Sequence, residues 1–174
     1  MGVGWVAMHM QKSPADMQDD PRYEDVVAEV RGYLLERARV AVDGGVSEVW
    51  LDPGIGFGKT SEHNLALLAH IGELVRTGAQ QGNGVLVGTS RKRFLGAFGA
   101  PSSAEPRSVE ERAESSLATA VWAMAQGAGM VRVHDVRATV QAATLVGRPG
   151  EDEGDVETSG ERPGGILHSG LPAR

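Results

Sequence analysis

Short runs of hydrophobic residues alternate along this chain with longer segments in which hydrophobic residues recur every three or four positions. The short runs are typical of buried strands, and they occur at residues 4–10, 49–51, 84–89 and 129–133. The longer segments predict helices with one apolar face. Four strand–helix units in succession, with strands that are apolar throughout, predict a parallel sheet covered by helices.

Capping residues predict where the helices begin and end. Asp20 before Pro21 predicts the start of the first helix, and the glycine pair at residues 44–45 predicts its end. Ser108, with Glu111 three residues later, predicts a capping box. The remaining helices are expected at residues 61–78, for one short turn from about residue 91, at residues 108–125, and after Asp135 up to residue 147.

Two α/β architectures fit this pattern, a doubly wound open sheet and a (β/α)8 barrel of the TIM-barrel family. A complete barrel has eight units and roughly 250 residues, whereas this chain has 174 residues and four predicted units. We therefore expect a partial domain over residues 1–147. Residues 148–174 are rich in Gly, Pro, Asp and Glu and poor in aliphatic residues, which predicts a disordered tail.

Composition limits the classes of partner and the cellular compartment that we expect for this chain. The net charge of −6 argues against a general affinity for nucleic acid or anionic membranes, so neither is expected as a partner. No apolar run reaches the roughly 20 residues that a membrane span needs, and the first ten residues lack a basic leader, so we expect a cytoplasmic protein. The absence of cysteine excludes disulfides and thiolate metal sites.

Polar and charged residues cluster where each predicted strand ends. The clusters are Met8-His9-Met10-Gln11, Asp52-Pro53-Gly54-Ile55-Gly56-Phe57-Gly58-Lys59, Thr89-Ser90-Arg91-Lys92 and Arg132-Val133-His134-Asp135. The carboxyl ends of parallel strands meet at one edge of the sheet, where parallel α/β enzymes place their active sites. The sequence therefore predicts a site at this edge.

The second cluster combines a carboxylate with a glycine loop. Asp52 follows an apolar strand, so its carboxylate is expected to be buried and to need donors. Asp52 then either caps its own loop or pairs with Lys59, or it accepts two hydrogen bonds from the edge of a flat heterocycle. The loop glycines permit a tight excursion that brings Phe57 to the mouth of the site; alternatively, Phe57 folds back into the core.

The third and fourth clusters supply cations. At the strand-to-helix junction we expect Lys92 to point inward, while Arg91 and Arg93 face water. Arg132 and His134 alternate along the fourth strand, so we expect them on one side of it, where they suit a phosphate or pyrophosphate. The residues alone therefore predict a site for a flat polar heterocycle beside an anionic leaving group.

These four motifs, in this order and at this spacing, resemble those of the dihydropteroate synthase family over nearly all of residues 3–147. The resemblance implies a (β/α)8 barrel of which this chain holds the last four βα units. It also implies a transferase that condenses 6-hydroxymethyl-7,8-dihydropterin pyrophosphate with p-aminobenzoate. The products would be dihydropteroate, for folate biosynthesis, and pyrophosphate.

The resemblance assigns pterin and pyrophosphate contacts to individual residues. Asp52 would hold the amino-pyrimidine edge of the pterin, and Met8 would line its pocket. Lys92 would donate to the carbonyl and ring-nitrogen side of the pterin. Arg132 and His134 would hold the departing pyrophosphate, so that the catalytic group comprises these two residues and Lys92.

The resemblance further implies that Phe57 and Ser90 flank the p-aminobenzoate site. Mg²⁺ is expected as a cofactor, but the family's metal contact is an asparagine of the first barrel strand, so no metal ligand is expected in this chain. The full-length enzyme is expected to be a homodimer.

The favoured hypothesis is a synthase truncated at its N-terminus, with about half of the site in this chain. One alternative is a non-catalytic pterin-binding remnant, which would bind pterin without turnover. Another is a pterin-binding methyltransferase domain. The runs Ser90-Arg91-Lys92 and Arg132-Val133-His134 together argue against methyl transfer, which requires no pyrophosphate site.

Overall fold

The computed structural model describes residues 3–98 and 106–146. Its strands are β1 (Gly4–Met8), β2 (Glu48–Asp52), β3 (Gly84–Val87) and β4 (Met130–Val131). Its helices are α1 (Val26–Asp43), α2 (Ser61–Ala69), α3 (Ile71–Ala79), α4 (Arg93–Ala97), α5 (Ala113–Ala125) and α6 (Val136–Val146). All four predicted strands are confirmed, although their bounds differ from those expected.

The strands form one parallel sheet in the order β1-β2-β3-β4. Met8 lies opposite Asp52 across the first pair, and Val87 lies opposite Val131 across the last. Each strand pairs with the next one along the chain, so all carboxyl ends lie at the same edge. A doubly wound sheet reverses its strand order part-way, and the four described strands contain no such reversal.

The core lies between the sheet and the helices that cover it. Leu51 of β2, Leu34 of α1 and Ile71 of α3 are fully buried. The buried positions of α1 are Val26, Val30, Leu34 and Ala38. Their spacing of four residues places them on one face of the helix, as the hydrophobic pattern predicts. No helix within the described ranges is both long and apolar enough to cross a membrane.

The start of α1 differs from the prediction. The helix is capped by Asp25, whose Oδ1 accepts from the N–H groups of Val27 and Ala28 at 3.0 Å each. Asp20, the expected cap, instead has a left-handed backbone with φ of 51°. The hydroxyl of Tyr23 donates to the carbonyl of Gly58 at 2.8 Å, which ties the segment before the helix to the glycine loop.

The single helix expected at residues 61–78 is two helices, α2 and α3, joined at His70. The backbone of His70 leaves the helical range, with φ of −106° and ψ of 16°. Nδ1 of its ring lies 2.8 Å from the carbonyl oxygen of Ala66, four residues earlier. A side chain that engages the helix's own carbonyls bends the helix at that point.

The last two helices agree with the prediction in part. The N–H of Ser108 donates to Oε2 of Glu111 at 2.9 Å, one arm of the expected capping box. The chain then forms a 3-10 turn at Glu110–Arg112, and α5 begins only afterwards. Oδ1 of Asp135 accepts from the N–H of Ala138 at 3.2 Å, which confirms the cap of α6. The expected end of α6 at residue 147 and the tail at 148–174 lie outside the described residues.

Candidate active site

The carboxyl ends of the strands are joined by backbone hydrogen bonds that continue past the strands themselves. The N–H of His9, after β1, donates to the carbonyl of Asp52 at 3.0 Å. The N–H of Arg132, after β4, donates to the carbonyl of Val87 at 2.9 Å. The four sequence clusters therefore lie along one edge, with half-buried Met8 in register with Asp52.

Asp52 is buried, with 3% of its surface exposed, and its two oxygens have different environments. Oδ1 accepts from the N–H of Gly54 at 2.8 Å, whereas Oδ2 lies 4.0 Å from Nη2 of Arg132. The second distance exceeds a hydrogen bond, so Oδ2 retains the capacity to accept donors from a ligand. Burial raises the pKa of Asp52, and the Gly54 N–H, Lys92 and Arg132 oppose that rise. Asp52 thus caps its loop and still offers one oxygen.

Lys92 points inward, as the sequence predicts. Its Nζ donates to the carbonyl of Ile55 and lies 4.4 Å from the centroid of the Phe57 ring, a distance typical of a cation–π contact. Burial lowers the pKa of Lys92 to about 8. Phe57 is half-buried and stands against this ammonium, so it lies at the loop rather than in the core.

The glycine loop needs its glycines because three backbone positions have positive φ. Gly54, Gly56 and Gly58 have φ of 65°, 81° and 60°, the region that favours glycine. A Cβ atom on Gly56 would lie 2.9 Å from Cδ of Lys92, and one on Gly54 would lie 1.8 Å from the carbonyl oxygen of His9. At Gly54 the close atom is a backbone oxygen, so no side chain fits there, whereas a side chain at Gly56 would displace the flexible Lys92 side chain.

Lys59 has a structural role that the sequence analysis missed. It is 4% exposed, and its Nζ lies 3.1 Å from the carbonyl oxygen of Gly54, 3.0 Å from that of Phe57 and 3.0 Å from Nδ1 of His9. Instead of forming the hydrogen-bonded pair with Asp52 that was considered, Lys59 ties the glycine loop to the end of β1. The sequence feature that could have predicted this role is the position of Lys59 directly after the loop glycines.

His9 and Asn64 complete this support and were not singled out as site residues. Burial and the nearby Lys59 lower the pKa of His9 to about 4, so its ring is neutral near pH 7. Oδ1 of Asn64 accepts from the N–H of Gly56 at 2.7 Å, and its Nδ2 donates to the carbonyl of Thr60 at 2.8 Å. The buried amide therefore fixes the middle of the loop to the start of α2.

Ser90, Arg132 and His134 connect the third and fourth clusters. Oγ of buried Ser90 accepts from the N–H of His134 at 3.2 Å and lies 2.9 Å from Nδ1 of its ring. Since β4 ends at Val131, Arg132 and His134 lie beyond the strand and the expected strand alternation does not govern them. Arg132 reaches toward Asp52 with a side chain that is 61% exposed, whereas His134 contacts Ser90.

Comparisons with known proteins agree with this arrangement. The family model described as pterin binding enzyme matches residues 1–134. The chain belongs to the pterin binding enzyme family. It is 43% identical over 142 residues to the dihydropteroate synthase of Neisseria meningitidis serogroup C, an alignment that covers 80% of this chain and 47% of that relative. It is 44% identical over 149 residues to that of Mycobacterium leprae, which covers 84% of this chain and 51% of the relative.

Solved structures give the same result for the fold. Two are of dihydropteroate synthase from Thermus thermophilus, one in complex with 6HMPPP and one in complex with 4-aminobenzoate. Their TM-scores are 0.73 and 0.72, both are 44% identical, and each alignment covers 83% of this chain and 55% or 56% of the solved chain. This member of the pterin binding family therefore spans about half the length of the relatives that it matches.

We expect the stability of this pterin binding family member to increase from about pH 8 to about pH 10. Burial lowers the pKa of Lys59 from 10.5 to about 7 and that of Lys92 to about 8. In this window the unfolded chain binds more protons at both lysines than the folded chain, so the free energy of unfolding rises with pH. Urea unfolding at pH 8, 9 and 10 measures the slope.

Two variants test the source of that slope. Lys59→Met should remove a large part of it, because this side chain has the larger shift. Lys12→Met removes an exposed lysine and should leave the slope unchanged. A free energy of unfolding that stays constant or falls over this range in the unmodified chain would contradict the burial of the two ammonium groups.

Proposed function

We propose that this chain supplies the last four βα units of a (β/α)8 barrel and half of a dihydropteroate synthase active site. The reaction is the condensation of 6-hydroxymethyl-7,8-dihydropterin pyrophosphate with p-aminobenzoate. The observation that carries the proposal is buried Asp52, whose Oδ2 remains available beside Lys92 and Arg132. A carboxylate flanked by cations suits a heterocycle that carries N–H donors and an attached pyrophosphate.

The sheet supports the barrel. Consecutive strands are neighbours and run parallel, as they do in a (β/α)8 barrel. The two ends of the sheet, β1 and β4, have no further strand among residues 3–98 and 106–146. The apolar side chains of Trp5 and Val6 of β1 are each 41% exposed, which suits a sheet whose faces further elements would cover. The aligned segment covers 47% and 51% of two matched relatives, so about half of each relative remains for four further units.

The pterin would bind between the second and third clusters. Oδ2 of Asp52 would accept from the amino-pyrimidine edge, Lys92 would donate to the carbonyl side, and Met8 would line the pocket. Because Lys92 already contacts the Ile55 carbonyl and the Phe57 ring, its ammonium is held in place before the ligand arrives. Such preorganisation lowers the cost of binding.

The pyrophosphate and p-aminobenzoate would occupy the neighbouring parts of the edge. Arg132 and His134 would bind the pyrophosphate, with Ser90 holding the imidazole of His134. Phe57 and Ser90 would flank the p-aminobenzoate, whose amine is the nucleophile.

These contacts account for catalysis by positioning and electrostatics. As the C–O bond to the pyrophosphate breaks, positive charge develops on the pterin methylene and negative charge on the leaving group. Arg132 and His134 would stabilise the negative charge, and the fixed carboxylate of Asp52 would stabilise the pterin. The lone pair of the aromatic amine forms the C–N bond to the methylene as the C–O bond breaks, and the amine then loses its proton to solvent or to the departing pyrophosphate. This amine needs no strong base, so its orientation next to the methylene supplies the remaining rate enhancement.

Mg²⁺ remains a proposal for the complete enzyme. The described residues contain no group of three or more His, Asp or Glu side chains suited to a metal ion. Oδ1 of Asp52 is already occupied by the Gly54 N–H. These residues therefore do not fit a metal site of their own, and we assign Mg²⁺ to the bound pyrophosphate and to ligands outside this chain.

The dimer and the compartment also remain proposals. Large apolar side chains on α5 and α6 are exposed, namely Trp122, Val136, Val140 and Leu145. An exposed apolar surface of this kind is typical of a protein–protein contact, and it supports homodimerisation of the complete enzyme through these helices. We propose that the complete enzyme is cytoplasmic.

Complementation tests the proposed function. The full 174-residue chain would be assayed for pyrophosphate release with both substrates and Mg²⁺, alone and with the N-terminal half of the Neisseria meningitidis relative. We expect release only when both halves are present. Lys92→Met should abolish it, whereas Lys12→Met should not. Pterin binding without pyrophosphate release in any combination would favour the non-catalytic remnant. If the chain neither binds pterin nor supports release in any combination, the proposal is refuted.

A further inference from the structure

Arg91 has a backbone conformation that its residue type disfavours. Its φ is 60°, within the left-handed region, where a side chain with a Cβ atom is strained. The N–H of Lys92 donates to the carbonyl of Thr89 at 3.1 Å, so residues 89–92 form a turn with Arg91 in its third position. A positive φ at that position favours glycine. Strain of this kind persists only where surrounding contacts enforce it.

Three side chains of one helical segment supply those contacts. Oγ of Ser116 accepts from the N–H of Arg91 at 2.9 Å, and Nη1 of Arg112 donates to the Arg91 carbonyl at 3.1 Å. Oγ1 of Thr119 lies 2.7 Å from Oγ1 of Thr89, the first residue of the turn. Residues 112, 116 and 119 are spaced by four and three, so they lie on one face of α5 and the turn before it.

The two neighbours of Arg91 reach in different directions. Ser90 contacts His134, after β4, whereas Lys92 contacts the Ile55 carbonyl, after β2. The conformation of Arg91 determines how these two side chains diverge. We propose that Arg112, Ser116 and Thr119 act as positioning residues, a clamp that holds Arg91 and thereby places Ser90 and Lys92 for the ligand. This inference rests on the proposed function, because it assumes that Lys92 and His134 bind the pterin pyrophosphate.

Ser116→Ala tests the clamp, with Ser115→Ala as the matched control one residue away on the same helix. In the ¹⁵N-labelled full chain we expect the Arg91 amide to exchange at least about tenfold faster in Ser116→Ala, because its acceptor is lost. The ring-nitrogen signals of His134 should also shift, since Ser90 moves with Arg91. Affinity for inorganic pyrophosphate should fall by about tenfold. Ser115→Ala should leave the Arg91 exchange rate, the His134 signals and the pyrophosphate affinity unchanged. Ser116→Thr keeps the hydroxyl, so it should give the values of the unmodified chain.

A purely structural role for Ser116 would give a different result. If the Arg91 amide exchanges faster while the His134 signals stay as in Ser115→Ala, the clamp does not position the site and the inference is overturned. If the unmodified chain fails to bind pyrophosphate, the proposed function loses its anion site, yet the His134 signals still decide whether the clamp positions Ser90.

Should Ser116→Ala unfold, Arg91→Gly provides the second test. Glycine adopts a positive φ without strain, so Arg91→Gly with Ser116→Ala should fold and regain the His134 signals; failure to regain them would also overturn the inference.

Discussion

Asp52→Asn is expected to weaken the binding of 6-hydroxymethyl-7,8-dihydropterin pyrophosphate at least about 100-fold. A hydrogen bond to a charged group contributes roughly 1.5–3 kcal/mol, and Oδ2 of Asp52 is the acceptor in the proposed edge-on contact. The amide of asparagine places a donor where the ligand also has donors, so the contact becomes repulsive as well as uncharged. A loss of roughly 3 kcal/mol corresponds to about a hundredfold change in the dissociation constant.

The same substitution should leave the fold intact, which separates lost binding from unfolding. Oδ1 of asparagine can still accept from the Gly54 N–H, as Oδ1 of Asp52 does at 2.8 Å. Burial disfavours the charged form of Asp52, so a neutral side chain relieves that cost. We therefore expect the melting temperature of Asp52→Asn to match or exceed that of the unmodified chain.

Calorimetric titration of the full chain with the pterin pyrophosphate measures the effect. Asp43→Asn is the matched control, because Asp43 is exposed at the far end of α1 and pairs with Arg39 at the surface. Surface pairs of this kind contribute little, so Asp43→Asn should bind as the unmodified chain does. If the affinity of Asp52→Asn stays within about threefold of that of the unmodified chain, Asp52 does not bind the ligand.

The strands and their common edge were predictable because they depend on hydrophobic pattern and on the rule for parallel sheets. The run Val49-Trp50-Leu51 is apolar and lies in the buried strand β2, and Asp52 directly follows it. The parallel arrangement then places Met8 and Asp52 at the same edge, whereas their pairing in register comes from the structure. The inward direction of Lys92 also follows from its place after a buried strand.

Helix boundaries and supporting contacts were less predictable because they depend on residues distant in sequence. Asp20 with Pro21 has the local chemistry of a helix start, yet the helix is capped by Asp25, and Tyr23 before it bonds to Gly58, 35 positions later. A local pattern cannot contain that contact. The link between Ser90 and His134, 44 positions apart, is of the same kind.

Lys59 shows how a residue can belong to a recognised motif while its contacts are not predicted. Within the motif, the nearest opposite charge to Lys59 is Asp52, so a pair was a reasonable hypothesis. In the structure the ammonium is surrounded by carbonyl oxygens, which only the folded path of the glycine loop brings together. Those oxygens carry no signal in the sequence, because every residue has one.

Lys59→Met is therefore expected to lower the free energy of unfolding by about 3 kcal/mol. Methionine fills a similar volume but donates no hydrogen bonds, so the carbonyls of Gly54 and Phe57 and the ring of His9 lose their partner. Each buried group left without a partner costs about 1–3 kcal/mol. Relief of the buried ammonium, whose pKa falls to about 7, offsets part of that loss.

Urea unfolding at pH 7 measures this change, and Lys12→Met, on an exposed loop, should stay within about 0.5 kcal/mol of the unmodified chain. Lys59→Met should also weaken pterin pyrophosphate binding, although Lys59 is not proposed to touch the ligand. The glycine loop that it holds carries Phe57 and the Ile55 carbonyl, which together position Lys92. If stability and binding both remain unchanged, the loop keeps its shape without the ammonium, and the glycines and Asn64 alone must account for it.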